Sequence, residues 1–334
     1  MILLLVGAAL SASATWSADA GVSHERQCSL QWEPRPGLRA PRAYLAAAAL
    51  PDGRILAIGG STNSGPLASV EAYMPGTNSW QSLGADLSVA RNGLAAVTVE
   101  GNVYAIGGYT VGVSDLLEVY DAQSGRWQRR ASLPTARGYL SAAAVGGKMY
   151  AIGGRDGSNQ ALSVVERYDP ETDQWQRVSP MPTARYGTAT AVAANGRIYV
   201  FGGTTIGLAL NVVEEYDPQA NSWRTVAPML TSRDGAVALT GLDGRIYVFG
   251  GYNPSHGWFS NVEAYDPQTN TWTTCAPLAL DRGFLAGAQG AGGTFYAIGG
   301  ARSGGLEFSG RVEAGVFPLP YKACLPLVIK DTLP

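Results

Sequence analysis

Six glycine doublets recur along this chain at nearly equal spacing. Four mostly apolar residues precede each doublet, and successive doublets lie 46 to 49 residues apart. The doublets are Gly59-Gly60, Gly107-Gly108, Gly153-Gly154, Gly202-Gly203, Gly250-Gly251 and Gly299-Gly300. A period of about 50 residues with short apolar runs and turns indicates propeller blades rather than a helical solenoid.

Aromatic residues follow the doublets with the same period. After each of the first five doublets comes a Tyr, and a Trp follows that Tyr by seven residues. The pairs are Tyr73 and Trp80, Tyr120 and Trp127, Tyr168 and Trp175, Tyr216 and Trp223, and Tyr265 and Trp272. We expect these side chains to pack between blades, where each buries a large apolar area.

Two charged residues complete the repeated pattern. An Arg begins each unit 16 or 17 residues before its doublet, namely Arg42, Arg91, Arg137, Arg185, Arg233 and Arg282. A Glu precedes each Tyr position by two residues, namely Glu71, Glu118, Glu166, Glu214, Glu263 and Glu313. This five-part pattern resembles the kelch repeat family over nearly everything from Ser29 to Phe317. The resemblance implies an all-β, six-bladed kelch β-propeller with four antiparallel strands per blade.

The two ends of the repeat region are expected to meet in one blade. The sixth unit has Gly315 where the Tyr belongs, and no Trp follows it. Trp32 precedes Arg42 by ten residues, the interval that separates Trp127, Trp175, Trp223 and Trp272 from the next Arg. We therefore predict that the segment from Ser29 to Trp32 is the outermost strand of the sixth blade and closes the ring.

The chain is predicted to contain one folded domain. Residues 28–317 form the propeller, residues 1–20 a secretory signal peptide, and residues 318–334 a C-terminal tail. The leader has an apolar run from Ile2 to Leu10 followed by small residues suited to cleavage, which indicates a secreted or periplasmic protein. Because no Lys or Arg precedes the run, a wrongly assigned start or a short uncleaved anchor stays open. The run is too short for a stable membrane span.

Three cysteines fit an exported protein. Cys28 precedes the predicted closing strand and Cys324 follows the repeat region, so both are expected near the seam of the ring. We predict a disulfide between Cys28 and Cys324, with Cys275 left unpaired.

Composition and motifs argue against several functions. The formal net charge is −2 without a run of Lys or Arg, which argues against nucleic-acid binding. The only two histidines, His24 and His256, do not provide a metal site of the galactose oxidase type. No nucleophile elbow or phosphate-binding loop is present in the sequence. We expect no metal and no cofactor.

The six arginines allow two interpretations. They could form a ring of guanidinium groups at one mouth of the channel, suited to a carboxylate. Alternatively, each Arg pairs with the Glu of its blade as a structural clamp. We favour the clamp, because a residue present in every copy serves the repeat.

Binding specificity is expected at positions that differ between blades. In kelch propellers that bind peptides, contacts come from the residue after the doublet and from one or two residues after the Arg. By resemblance, the first set is Ser61, Tyr109, Arg155, Thr204, Tyr252 and Ala301, and the second is Tyr44, Asn92, Tyr139, Tyr186, Asp234 and Phe284. The fifth blade adds His256 and Trp258, and the sixth adds Arg302. These residue types are typical of a recognition surface.

Two functions follow from these positions. The first is a secreted binding module that holds a protein segment or a glycan on one loop face. The second is an enzyme resembling the periplasmic kelch propellers that act on sialic acid, with groups drawn from Arg155, Arg302, Asp156, Asp234 and His256. An acid/base pair and an Arg that line one pocket would favour the enzyme, and a broad aromatic face would favour binding.

Overall fold

A computed structural model describes residues 28–302 and 307–317 of the chain. Within them the chain forms six four-stranded antiparallel sheets, and the innermost strands of successive sheets contact one another in a closed ring. The predicted six-bladed propeller is confirmed. The predicted leader, the tail and Cys324 lie outside these residues. In the part that is described, no helix is long and apolar enough to cross a membrane.

Each blade runs from an innermost strand at the channel to an outermost strand at the rim. From inside to outside, the strands of the first three blades are Ala46–Ala49, Ile55–Ile58, Val70–Met74 and Ser79–Ser82 in blade 1; Ala95–Val99, Asn102–Ile106, Leu117–Asp121 and Arg126–Arg129 in blade 2; and Ser141–Val145, Lys148–Ile152, Val165–Asp169 and Gln174–Arg177 in blade 3.

The other three blades follow the same order. Their strands are Ala189–Val192, Ile198–Phe201, Val213–Asp217 and Ser222–Val226 in blade 4; Val237–Thr240, Ile246–Phe249, Val262–Asp266 and Thr271–Cys275 in blade 5; and Ala286–Gln289, Phe295–Ile298, Val312–Val316 and Gln31–Arg35 in blade 6. A 3-10 turn, Ala291–Gly293, joins the two inner strands of blade 6.

Short two-stranded hairpins extend four of the blades beyond the doublets. They are Ser61–Thr62 with Gly65–Pro66 in blade 1, Thr204–Thr205 with Leu208–Ala209 in blade 4, Tyr252–Asn253 with Gly257–Trp258 in blade 5, and Ala301–Arg302 with Glu307–Phe308 in blade 6. All four therefore project from the same end of the propeller.

The closing strand comes from the N-terminal side of the chain, as predicted. Gln31–Arg35 pairs antiparallel with Val312–Val316, and Trp32 lies opposite Gly315. In the other five blades the same register places a Tyr opposite a Trp. The indole N–H of Trp32 donates to the carbonyl of Ala276 (3.1 Å). The indole of Trp175 donates to Ala131 in the same way (2.8 Å), so the seam repeats the contact of an ordinary blade boundary.

The predicted disulfide between Cys28 and Cys324 is wrong. Cys28 is bonded to Cys275, with the two Cα atoms 5.2 Å apart. Cys275 is the last residue of the outermost strand of blade 5, and Cys28 leads into the strand that completes blade 6. The outermost strand of one blade therefore ends beside the start of the closing strand, and this proximity brings Cys275 into the bridge.

The glycine doublets allow close approach between neighbouring blades. A Cβ atom on Gly107 would lie 2.6 Å from the carbonyl oxygen of Arg137 in the next blade. A Cβ atom on Gly299 would lie 2.5 Å from the carbonyl oxygen of Arg42, across the seam. Both glycines also have positive φ angles, of 59° and 64°, a conformation that costs little only for glycine.

The repeated Arg and Glu form a buried clamp in all six blades. In blade 3 the guanidinium of Arg137 lies 2.6 Å from the carboxylate of Glu166, and both side chains are fully buried. The same Arg also donates to the carbonyls of Thr135 and Ala151. The ion pair recurs as Arg42–Glu71, Arg91–Glu118, Arg185–Glu214, Arg233–Glu263 and Arg282–Glu313. These guanidinium groups are enclosed in their own blades and do not form a ring open to the channel.

Candidate functional site

A closed ring of six backbone hydrogen bonds encircles the channel at the end where the doublets lie. Each blade contributes the residue two positions after its Arg, and its amide donates to the carbonyl of the equivalent residue in the preceding blade, over 2.7 to 2.8 Å. The six residues are Tyr44, Gly93, Tyr139, Gly187, Gly235 and Phe284. All six have positive φ angles between 50° and 64°.

Three of these six positions carry an aromatic side chain in a conformation that favours glycine. For a residue with a Cβ atom the left-handed region costs about 1–2 kcal/mol. Tyr44, Tyr139 and Phe284 adopt it nonetheless, at φ angles of 56°, 52° and 50°. Backbone strain of this kind is concentrated at functional sites, so these three residues mark the ring as a candidate site.

The three aromatic rings cover the mouth of the channel. The ring centroids of Tyr44 and Phe284 lie 4.7 Å apart, and those of Tyr44 and Tyr139 lie 5.8 Å apart. The rings extend over neighbouring glycines, since a Cβ atom on Gly235 would lie 2.5 Å from the ring of Phe284. A Cβ atom on Gly93 would likewise lie 3.0 Å from the ring of Tyr139, so glycine at these two positions makes room for the aromatic side chains.

The two sets of predicted specificity residues meet at this end of the propeller. The residue after each Arg forms an antiparallel bridge with the residue after the doublet of the same blade. In blade 5, the backbone amides of Asp234 and Tyr252 donate to each other's carbonyls over 2.9 Å. We call this end, with the hydrogen-bonded ring and the bridged residues around it, the loop face.

A cavity of about 210 Å³ opens on the loop face. Its lining consists of Tyr44, Tyr139, Arg155, Tyr186, Gly187, Asp234 and Phe284. Gly187 is the glycine of the hydrogen-bonded ring that lines this space, and the absence of a side chain there leaves the space open. We call this space the Asp234 cavity.

Asp234 supplies a carboxyl group with one unpartnered oxygen. Its Oδ1 atom is buried, and it has no hydrogen-bond partner among the described residues. Burial raises the pKa of Asp234 from 3.8 to about 7, because an apolar environment disfavours the charged form. Burial, and to a lesser extent the nearby carboxylate of Asp234, also raise the pKa of Tyr44.

Arg155 supplies the cationic group of the cavity. Its guanidinium donates from Nη2 to the side-chain oxygen of Asn159. It also lies over the ring of Tyr186, with Cζ 5.4 Å from the ring centroid. Asp234 and Arg155 form no ion pair in the described residues, so the cavity presents the two charges separately.

Further aromatic residues extend the surface beyond the cavity. Trp258 packs on Tyr252 at a centroid distance of 4.7 Å and on Phe284 at 6.0 Å. Tyr109 packs on Tyr139 at 5.1 Å. Phe308, which sequence reasoning missed, lies 6.4 Å from Tyr44. The repeat pattern carries only a weak signal for Phe308, because this residue falls in a hairpin whose length differs between blades.

The other candidate residues do not line the cavity either. Asn92 forms the bridge to Tyr109. His256 is exposed, and its ring lies 3.3 Å from the side-chain oxygen of Asn253. Arg302 pairs with Asp281 at 3.6 Å, and the carboxylate of Asp156 accepts backbone amides of its own turn. Among the described residues, no group of three His, Cys, Asp or Glu side chains is arranged to hold a metal ion.

Curated relatives share the repeat region. Kelch-like protein 41a of Danio rerio is 32% identical over 81 residues, which is 24% of this chain and 13% of that protein. An F-box/kelch-repeat protein of Arabidopsis thaliana is 31% identical over 129 residues, 37% of this chain and 34% of that protein. Beta-scruin of Limulus polyphemus is 33% identical over 113 residues, 31% of this chain and 12% of that protein. The chain thus spans about a third or less of the length of these relatives.

A family model gives the wider match. The model described as the KLHDC2/KLHL20/DRC7 Kelch-repeats domain matches residues 47–232 and 93–300, which together exceed half of the chain. These ranges include most of the buried Arg–Glu clamps and most of the loop face. The chain belongs to the kelch-repeat family.

Proposed function

We propose that this protein is a binding module that holds a segment of a partner protein on the loop face. The aromatic surface around the Asp234 cavity carries this proposal. Aromatic residues and Arg supply much of the binding energy at protein interfaces. The cavity combines four aromatic side chains with one carboxyl group and one guanidinium group, which gives apolar contact area and a few orienting polar groups.

Exposed apolar side chains on the loops of this end favour a protein partner over a glycan. Ile206 is 91% exposed at the tip of the blade 4 hairpin, and Leu208 beside it is 68% exposed. Val111 is fully exposed in the corresponding loop of blade 2. Burial of aliphatic side chains against apolar groups lowers the free energy of a complex. A peptide offers such groups more readily than a sugar does.

A displayed library of random peptides tests this proposal. The folded protein would be used to select peptides, and the affinity of each selected peptide would then be measured for the wild type and for Tyr139→Gly. We expect selected peptides to bind Tyr139→Gly at least about tenfold more weakly, as for loss of an interface hot spot. Asp52→Asn, at the opposite end of the propeller, is the matched control. Selected peptides that bind all three proteins equally would overturn the proposal.

An acid/base enzyme is the second candidate. Asp234 and Arg155 line one cavity, and a carboxyl group with a pKa of about 7 suits proton transfer near neutral pH. His256 and Asp156 lie outside the cavity, so it lacks a second acid or base from the predicted set. Acceleration of sialic acid mutarotation, lost in Asp234→Asn, would support the enzyme. A rate equal to the buffer rate would exclude it.

We also propose that the chain works outside the cytosol. The apolar leader and the bond between Cys28 and Cys275 support this, because disulfides persist mainly in oxidising compartments. N-terminal sequencing of the protein from its native source tests the proposal. A mature start near residue 21 is the expected result, and a retained Met1 with reduced Cys28 would contradict it.

A further inference from the structure

The residues that line the Asp234 cavity are suited to binding a cation. Tyr44, Tyr139, Tyr186 and Phe284 line the space together with the carboxyl group of Asp234 and the guanidinium of Arg155. The guanidinium is held by the side chain of Asn159 and lies over Tyr186, so the other three rings and Asp234 are open to a cation. The faces of aromatic rings attract cations, and this attraction increases when the cation loses water. One cation in the cavity would thus meet both aromatic faces and a carboxylate.

One oxygen of the half-buried carboxyl group of Asp234 lacks a hydrogen-bond partner among the described residues. A buried charge is costly unless a counter-ion or hydrogen bonds compensate it. The Oδ1 atom has no such partner within the described part of the chain, and Arg155 instead lies over Tyr186. A ligand that brings a cation would supply the missing interaction.

We infer that the Asp234 cavity binds the basic side chain, Lys or Arg, of the protein segment held on the loop face. This inference rests on the proposed function. It identifies the chemistry that orients the segment, because one charged side chain of the partner would enter the cavity while its neighbours contact the aromatic surface.

The protonation states of the side chains that line the cavity determine at which pH such a cation binds. The titratable groups that line the cavity with Asp234 are Tyr44, Tyr139, Tyr186 and Arg155. Burial raises the pKa of Tyr139 to about 12 and that of Tyr44 above its usual value, so these two tyrosines stay neutral between about pH 5 and pH 8. Binding of the cation therefore strengthens as Asp234 ionises.

Small probes test the cation site without a known partner. Saturation-transfer NMR would measure the affinity of Nα-acetyl-lysine methylamide and of Nα-acetyl-norleucine methylamide, which has a similar chain without the charge. At pH 8 we expect the lysine probe to bind about tenfold more tightly, as for a charge-assisted contact. Asp234→Asn should remove this preference, and Asp52→Asn should keep it. Equal binding of the two probes, or a preference that persists in Asp234→Asn, would overturn the inference.

The peptide selection separates this inference from the proposed function. Selected peptides that require Tyr139 and share a basic residue support both. Peptides that require Tyr139 without a shared basic residue overturn the inference and leave the binding module intact. The third outcome combines a preference for the lysine probe in the NMR measurement with a selection that yields no peptide requiring Tyr139. It supports the cation site and overturns the binding module.

Discussion

The disulfide between Cys28 and Cys275 joins blade 5 to the segment that leads into the closing strand of blade 6. The two residues are 247 positions apart in the sequence. In the chain-entropy model a loop of this size stabilises the fold by about 5 kcal/mol, and removal of a native disulfide commonly costs about 2–5 kcal/mol. We expect Cys28→Ser to lower the free energy of unfolding by an amount in this range, measured by urea denaturation.

Thiol counting checks the pairing independently. The unreduced protein should contain one free thiol, and Cys324→Ser should contain none. Cys324→Ser should also unfold at the wild-type urea concentration. A loss of stability in Cys324→Ser equal to that in Cys28→Ser would contradict the observed pairing.

The positive φ angle of Tyr139 predicts an unusual order of stability. Tyr139→Gly and Tyr139→Ala both remove the ring, but only glycine adopts a φ of 52° without strain. We expect Tyr139→Gly to be more stable than Tyr139→Ala by about 1 kcal/mol. Tyr186 lacks a positive φ. There we expect the alanine variant to be more stable than the glycine variant by about 0.5–1 kcal/mol. Chemical denaturation of the four variants checks both orders.

The buried clamp should be sensitive to loss of one partner. Glu166→Gln leaves the charge of Arg137 without its counter-ion inside blade 3, and we expect a loss of about 3–5 kcal/mol. The double variant Arg137→Met with Glu166→Met should be more stable than the single variant, since no buried charge remains. Breaking the partly exposed Asp52–Arg54 pair with Asp52→Asn should cost at most about 1 kcal/mol. Equal effects of Glu166→Gln and Asp52→Asn would contradict the clamp.

Asp234 predicts a pH dependence of stability. Its pKa is about 7 in the folded protein, compared with an ordinary value of 3.8. The folded state therefore favours the protonated form, and this stabilisation is complete below about pH 4 and is lost as pH rises to about 7. We expect the Tm of the wild type, relative to Asp234→Asn, to fall between pH 4 and pH 8 in calorimetry. A difference that does not change with pH would contradict the burial of the carboxyl group.

The blades were predictable from the sequence because every repeated residue has the same task in each copy. In blade 2 the four mostly apolar residues before the doublet, Val103 to Ile106, lie in the strand Asn102–Ile106. The interval between Trp32 and Arg42 predicts the closing strand at Ser29 to Trp32, and the observed strand, Gln31–Arg35, begins two residues later and ends three residues later. The repeat pattern is therefore sufficient to predict these strands from the sequence.

The site was less predictable because it depends on departures from the repeat. The sequence placed Tyr44 and Asp234 in one set, whereas the structure puts Tyr44 in the hydrogen-bonded ring and Asp234 in the bridge outside it. A glycine two residues after Arg91, Arg185 and Arg233 was the available signal for positive φ. The pairing of Cys275 had no such signal, because it depends on contact between the rims of two blades.

The hydrogen-bonded ring also fixes the direction from which a ligand is recognised. Around the axis the six positions read aromatic, glycine, aromatic, glycine, glycine, aromatic. This order has no rotational symmetry, so a ligand meets the sixfold scaffold in a single azimuthal orientation. A cyclic permutation of these six residues would turn the aromatic part of the binding site by sixths of a revolution, and Asp234 and Arg155 would stay in place.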